Sequence, residues 1–221
     1  MATVVTLSAP YGAGGSYVGP RLAERLGVPF VDRAIPGEVA QRLSVPLAEA
    51  IRHDESPGSV FDRFIRALAP AGLPFGARPM LEHELIDENA YRAATEQVIR
   101  DEAGRRGGVI LGRAAAIVLR DHPGALHIRL HGPRERRLER AMAIEAIERD
   151  EAERRMADND RAREAYVQHF YGVDPSAADL YHVTIDTTVI DLDVCVDLLA
   201  AAAGSRAVIM QGGGASGTHS P

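Results

Sequence analysis

Short apolar runs alternate along the chain with longer amphipathic stretches. Val4-Val5-Thr6-Leu7-Ser8 is a β-favouring run that leads through Ala9-Pro10 into a glycine-dense turn, Tyr11-Gly12-Ala13-Gly14-Gly15-Ser16. A helical pattern follows, with Val18, Leu22 and Leu26 on one face and Arg21, Glu24 and Arg25 on the other. Val28-Pro29-Phe30-Val31 reads as a short buried strand closed by the charged pair Asp32-Arg33. Further strands are predicted at Gly108–Gly112, Leu126–His131 and Tyr181–Asp186. In the second of these, His127, Arg129 and His131 alternate with apolar residues, the pattern of an edge or half-exposed strand. Five strands separated by helical segments predict a parallel α/β sheet.

Residues 34–104 break this rhythm. They contain no clear strand and are punctuated by Pro46, Pro57, Pro70, Pro74 and Pro79. Val60, Phe61, Phe64, Ile65 and Leu68 form one amphipathic stripe, and Tyr91, Ala94, Thr95 and Val98 part of another. The stretch from Pro70 to Pro79 reads as a mobile loop. A helical insert of this kind serves either to cover a substrate site or as a dimerisation arm. From Pro133 the chain is helical and highly charged, with Leu138, Met142 and Ile147 as its apolar edge. Residues 191–203 predict a closing helix, and residues 204–221 a flexible tail rich in Gly, Ser and Ala.

Composition narrows the picture. A chain of 221 residues with 46% hydrophobic content is one domain, or one core with an insert. Its net charge of -6 gives no general attraction to nucleic acid. All 25 basic residues are arginine, so no lysine is available anywhere to neutralise a phosphate. The single cysteine, Cys195, lies in an apolar helical pattern and excludes an internal disulfide, which fits the cytoplasm. No signal-peptide pattern opens the sequence, and no apolar stretch approaches the ~20 residues of a membrane span.

Strand, glycine loop and helix together are the layout of a phosphate cradle, in which backbone N–H groups and the positive end of a helix face an anion. Against the pattern G-x-x-x-x-G-K-[ST], the chain reads Ala9-x-x-x-x-Gly14-Gly15-Ser16. The second glycine and the hydroxyl are kept, the first glycine is alanine, and glycine replaces the lysine. The alternative is an ordinary tight βα turn. Asp32 at the second strand's end is either a ligand or a helix N-cap. Asp160-Arg161-Ala162-Arg163, followed by Tyr166, Phe170 and Tyr171, offers guanidinium forks suited to polyphosphate, with surface ion pairs as the alternative. His122, His127 and His131 do not converge as metal ligands on any predicted element.

Taken in order, these segments resemble the cytidylate kinase-like proteins, a branch of the P-loop nucleoside monophosphate kinases. The resemblance runs from Thr3 to about Ala202. It rests on Tyr11-Gly12-Ala13-Gly14-Gly15, on Leu26-Gly27-Val28-Pro29-Phe30-Val31-Asp32-Arg33 and on Val109-Ile110-Leu111-Gly112-Arg113, with Asp160-Arg161-Ala162-Arg163 and Ile185-Asp186-Thr187-Thr188 completing it. It implies a P-loop NTPase-type three-layer α/β/α core with a five-stranded parallel sheet in the order 2-3-1-4-5. The core would comprise residues 1–33 and 105–203, with residues 34–104 as the insert that binds the nucleoside monophosphate and residues 150–172 as an arginine-rich lid.

It further implies transfer of the ATP γ-phosphate to a nucleoside monophosphate, CMP or dCMP first among them. Tyr11, Gly12, Ala13, Gly14, Gly15 and Ser16 would hold the donor's phosphates, with Ser16 and Asp32 toward Mg2+ and Asp160 the other candidate acid. Arg113 and Arg33 would meet the acceptor nucleotide, and Arg155, Arg161 and Arg163 would close over the transferring phosphate. The departures are Gly15 for lysine, Ser16 where the branch usually has arginine, Ala114 where cytidylate kinases proper have aspartate, and His131 where they carry an acid. The competing readings are a nucleotide-binding sensor or partner-binding module with little turnover, and a kinase for another small molecule.

Overall fold

A computed structural model describes residues 3–32 and 88–212. Five parallel strands form one sheet: β1 (Val4–Ser8), β2 (Phe30–Val31), β3 (Gly108–Leu111), β4 (Ala125–His131) and β5 (Val183–Asp186), in the order β2-β3-β1-β4-β5. This is the expected order. Of the insert, only the stretch from Glu88 is described; the Val60–Leu68 stripe, the Pro70–Pro79 loop and Arg33 lie outside the described residues.

Residues along β1 point alternately to the two sheet faces, and each face is covered. Val5 and Leu7 join Val109, Leu126, Ile128 and Leu130 in a core closed by α1 (Gly15–Leu26) and by Cys195, Val196 and Leu199 of a C-terminal helix. Val4 faces the other way, into a layer with Ile110 and with Ala94, Val98 and Ile99 of α2 (Glu88–Arg105). A short helix α3 (Ala115–Val118) follows β3 on that second face. Beyond β4, α4 (Arg134–Glu145) and α5 (Arg149–Tyr171) pack on each other through Leu138, Ala152 and Met156.

Pro20 lies inside α1, where it costs the helix the hydrogen bond to the Ser16 carbonyl without ending it. Gly19 lets α1 approach β2: a Cβ there would lie 2.5 Å from the Phe30 ring. The closing helix α6 (Leu192–Gly212) runs past Gly204, where the composition suggested a tail. Beyond it, Arg206, Ala207, Met210 and Gln211 are good helix formers.

The polar alternation in β4 does not mark an edge. β4 pairs with β1 on one side and β5 on the other, and His127 is 4% exposed. His127 Nδ1 is 2.8 Å from Thr6 Oγ1 on the neighbouring strand. Its ring stacks on His182 at 4.8 Å, and His182 Nδ1 accepts from the His127 backbone N–H. Hydrogen bonding and stacking thus admit an imidazole to a core position.

Burial, reinforced by His182 and Arg206, holds the His127 pKa down at about 4. An unfolded chain therefore takes up a proton below pH 6.5 that the folded chain refuses until about pH 4. Stability is expected to fall by roughly 2–3 kcal/mol over that window. Urea denaturation at pH 7, 5.5 and 4.5 measures this, and His127→Gln should remove most of the slope.

Candidate functional site

In a parallel sheet the carboxyl ends of the strands share one edge, and ligands bind there. The Ala9–Ser16 loop leaves β1 at that edge and delivers the chain to α1. Pro10 O accepts the Ala13 N–H at 3.0 Å, and Gly14 caps α1 in the left-handed conformation, φ 82°. The first-turn N–H groups of Gly15 and Ser16 precede any intrahelical acceptor and point out of the helix start. Ser16 is exposed at this point.

The loop is braced from below. Asp160 Oδ1 accepts the Tyr11 N–H at 3.0 Å, and Arg137 Nη1 donates to Tyr11 O at 2.6 Å. The same Arg137 nitrogen is 3.0 Å from Asp160 Oδ2, and Arg137 Nε donates to Gly132 O at 3.0 Å. Both ends of residue 11 are thereby held by one ion pair, whose arginine is only 8% exposed. Gly12, at φ 74°, presses on the Arg137 backbone carbonyl, leaving no room for a Cβ. Thr187, fully buried in the Ile185–Thr188 motif, donates its hydroxyl to Ala13 O at 2.8 Å and accepts from Arg140. The Tyr11 hydroxyl donates to Glu145 Oε1 at 2.6 Å, and its pKa is raised by burial and by that carboxylate.

Gly15 sits against Ala9. A Cβ at position 15 would lie 2.7 Å from the Ala9 Cβ and 3.2 Å from Leu111 Cδ1. The two departures from the P-loop pattern therefore occupy one space: the alanine methyl fills the place from which a lysine side chain would have to start.

Beside the loop, a cavity opens between the ends of β1 and β3 and the inner face of α5. Thr6, Ser8, Arg113, Arg163 and Tyr181 are among its lining residues. Gly112, Arg113 and Ala114 all have positive φ, at 75°, 54° and 53°. Two consecutive non-glycine residues in this region are strained, and such strain gathers at functional sites. Arg163 Nη1 is buried without a hydrogen-bond partner. Burial lowers the Arg163 pKa, against the pull of nearby Asp160, Tyr181 and Asp32. Arginine nevertheless keeps its charge. Arg129 donates to Pro175 O at 2.5 Å, as does the Tyr181 hydroxyl at 2.8 Å, which fixes the cavity's outer wall.

The sequence-predicted arginines separate. Arg113 and Arg163 meet at the cavity. Arg155 lies outside it, bound to Glu145 at 2.7 Å and Glu151 at 2.8 Å. Arg161 is on an exposed face of α5. Asp32, at the end of β2, is an electrostatic neighbour of Arg163. Asp160 commits both carboxylate oxygens to Tyr11 and Arg137. Arg137, Arg140 and Thr187 went unmarked as site residues in the sequence. For Arg137 a signal existed: it sits four residues before Ala141, on the apolar side of its helix.

The coupling of Ala9 and Gly15 has a direct test. Gly15→Lys alone is expected to destabilise by roughly 1–3 kcal/mol through overpacking. Ala9→Gly/Gly15→Lys should recover most of that loss in chemical denaturation. Equal stability of Gly15→Lys and the parent protein would dismiss the steric conflict.

A cytidylate kinase of Methanopyrus kandleri is 36% identical over 110 residues, covering 46% of this chain and 57% of that protein. A uronate isomerase of Corynebacterium glutamicum is 28% identical over 141 residues, 64% of this chain and 27% of that protein. The chain thus spans between about a quarter and just over half the length of these two relatives. A crystal structure of an uncharacterised protein from Eubacterium ventriosum superposes with a TM-score of 0.65 at 18% identity, over 92% of this chain and 99% of that one, a likeness of fold. The model of the cytidylate kinase-like family matches residues 4–189. With that match over most of its length, including the glycine loop, the Gly112-Arg113 strand end and the arginine helix, the chain belongs to the cytidylate kinase-like family.

Proposed function

We propose that the protein is a nucleotide kinase that moves the γ-phosphate of ATP to a nucleoside monophosphate, with CMP or dCMP the first acceptor to test. The observation that carries this reading is the buried, unpartnered Nη1 of Arg163, which lines one cavity with Arg113 beside an N–H-rich glycine loop. A desolvated guanidinium nitrogen without a hydrogen-bond partner is costly to keep, and an arriving phosphate would supply the missing acceptor. Family membership and the relative named cytidylate kinase support the same chemistry.

In this reading the loop from Tyr11 to Ser16 holds the donor's phosphates, and Arg113 and Arg163 hold the acceptor's phosphate. Phosphoryl transfer asks the protein mainly for alignment and charge neutralisation. Magnesium, when bound, would supply positive charge at the donor's phosphates. The Ser16 hydroxyl, exposed in the first turn of α1, suits such a hard cation, and Asp32 is the candidate acid. No group of three or more His, Cys, Asp or Glu side chains able to hold a metal occurs among the described residues. A phosphate-bound magnesium needs only one or two protein oxygens besides water. Arg155, now held by two carboxylates, would have to exchange them for phosphate to act as a lid arginine.

A second reading is favoured by Gly15. Without the lysine, and with Ala9 filling its space, the loop suits nucleotide binding more readily than fast turnover. A nucleotide-dependent sensor would use the same site.

The test is ADP release from Mg-ATP in the presence of CMP, dCMP, UMP, AMP or GMP, with nucleotide binding followed in parallel. Acceptor-dependent turnover is expected. Binding without turnover would favour the sensor. Arg163→Met is expected to lower turnover by about 10²-fold, the scale of losing one preorganised charge contact. Its melting temperature should be equal to or above that of the parent protein, because a desolvated charge has been removed. A variant that melts lower and keeps full turnover would assign Arg163 to structure.

A further inference from the structure

The ion pair under the glycine loop does more than fill space. Arg137 comes from α4, Asp160 from α5, and both close on one residue of the loop, Tyr11. Asp160 takes the Tyr11 N–H and Arg137 takes its carbonyl, so rotation of that residue would break two bonds at once. Arg137 also holds Gly132 O at the end of β4, which anchors the clasp to the sheet. Asp160 lies three residues before Arg163 on α5, less than one helical turn away. The segment that clasps the loop is therefore the segment that carries Arg163 into the cavity.

We infer that Arg137 and Asp160 are positioning residues, whose clasp on Tyr11 holds the glycine loop and the Arg163 segment of α5 as one unit, so that phosphate binding at the loop is felt at Arg163. The inference rests on reading Ala9–Ser16 as the donor phosphate loop. Neither residue needs to touch a phosphate. Asp160 has both oxygens engaged, and Arg137 has its charge balanced by Asp160. Their effect is on geometry: they fix the peptide that leads into the N–H groups of Gly14, Gly15 and Ser16.

The experiment uses the full chain with MgADP as the probe. Calorimetry measures affinity, and hydrogen exchange at saturating MgADP follows peptides covering residues 158–165. Asp160→Ala is expected to weaken MgADP at least tenfold. Asp160→Asn keeps an oxygen for the Tyr11 N–H and should lose less than Asp160→Ala. Leu199→Ala is the control for general destabilisation. It truncates a core residue seven positions along α6 from the Leu192 that touches Gly14. It should lower the melting temperature while keeping affinity within twofold. In the parent protein, MgADP is expected to slow exchange in residues 158–165, and in Asp160→Ala that slowing should vanish at saturation.

Parent-like affinity in Asp160→Ala would overturn the inference, as would an equal loss in Leu199→Ala. Retained slowing of 158–165 in Asp160→Ala would overturn the linkage to Arg163. A parent protein that does not bind MgADP would refute the phosphate-loop reading and the clasp with it. That outcome differs from one in which the parent binds and the variant binds equally well.

Discussion

The central place of β1 is the constraint on which the rest of the structure depends. It is hydrogen-bonded on both sides, to β3 and to β4, and buried on both faces. A strand in that position has no free edge, and parallel neighbours can reach it only through crossover connections. Every strand then ends at the same edge of the sheet. The glycine loop, the strained Gly112-Arg113-Ala114 turn, Gly132 and the Thr187 hydroxyl all gather there. None of these segments is near another in sequence. Their meeting follows from the order of five short strands.

Charge is arranged at that edge with a clear division. Arg137 faces Asp160, and Arg155 faces Glu145 and Glu151. Arg163 has Asp160 within electrostatic range, yet Asp160's oxygens are spent on Tyr11 and Arg137, and Nη1 of Arg163 keeps no hydrogen bond. Burying a guanidinium nitrogen without a hydrogen bond is costly, and in the proposed function an arriving phosphate offsets that cost. His127 is also buried, but as a neutral ring, bonded and stacked, because burial and the nearby His182 and Arg206 outweigh the Leu119 and Arg120 backbone groups that would favour its charged form.

The strands were legible in the sequence as apolar runs of β-branched residues bounded by glycine and proline; their order followed only from the resemblance to the cytidylate kinase-like proteins. β4 was harder. His127, Arg129 and His131 imitate the alternation of a half-exposed strand, and only the Thr6 hydroxyl on the neighbouring strand reveals why His127 is buried. The loop and Arg113 were legible as motifs. The separation of Arg163 from Arg155 and Arg161 was not, since all three lie on one helix. Which of them faces the cavity depends on how α5 is rotated against α4, a consequence of packing around Leu138, Ala152 and Met156. Arg137 was hidden among charged neighbours for the same reason. Its role depends on residues 126 and 23 positions away, which no local pattern encodes.

The absent lysine takes on a different meaning once Ala9 is considered. The alanine methyl and Leu111 crowd the place of a Cβ at position 15, so the loop is packed around a glycine. The chain also contains no other lysine to reach in from a distance. In the proposed reading, positive charge at the donor phosphates comes from backbone N–H groups and the start of α1. Backbone donors act only if they are held rigidly toward the anion, because each contributes little charge and much depends on direction. The bracing of Tyr11, Gly12 and Ala13 by Asp160, Arg137 and Thr187 supplies that rigidity. A loop that relies on its amides has more to lose from slack than one with a lysine. In the proposed phosphate-loop reading, the contacts beneath it do for the amides what a lysine side chain would otherwise do by charge.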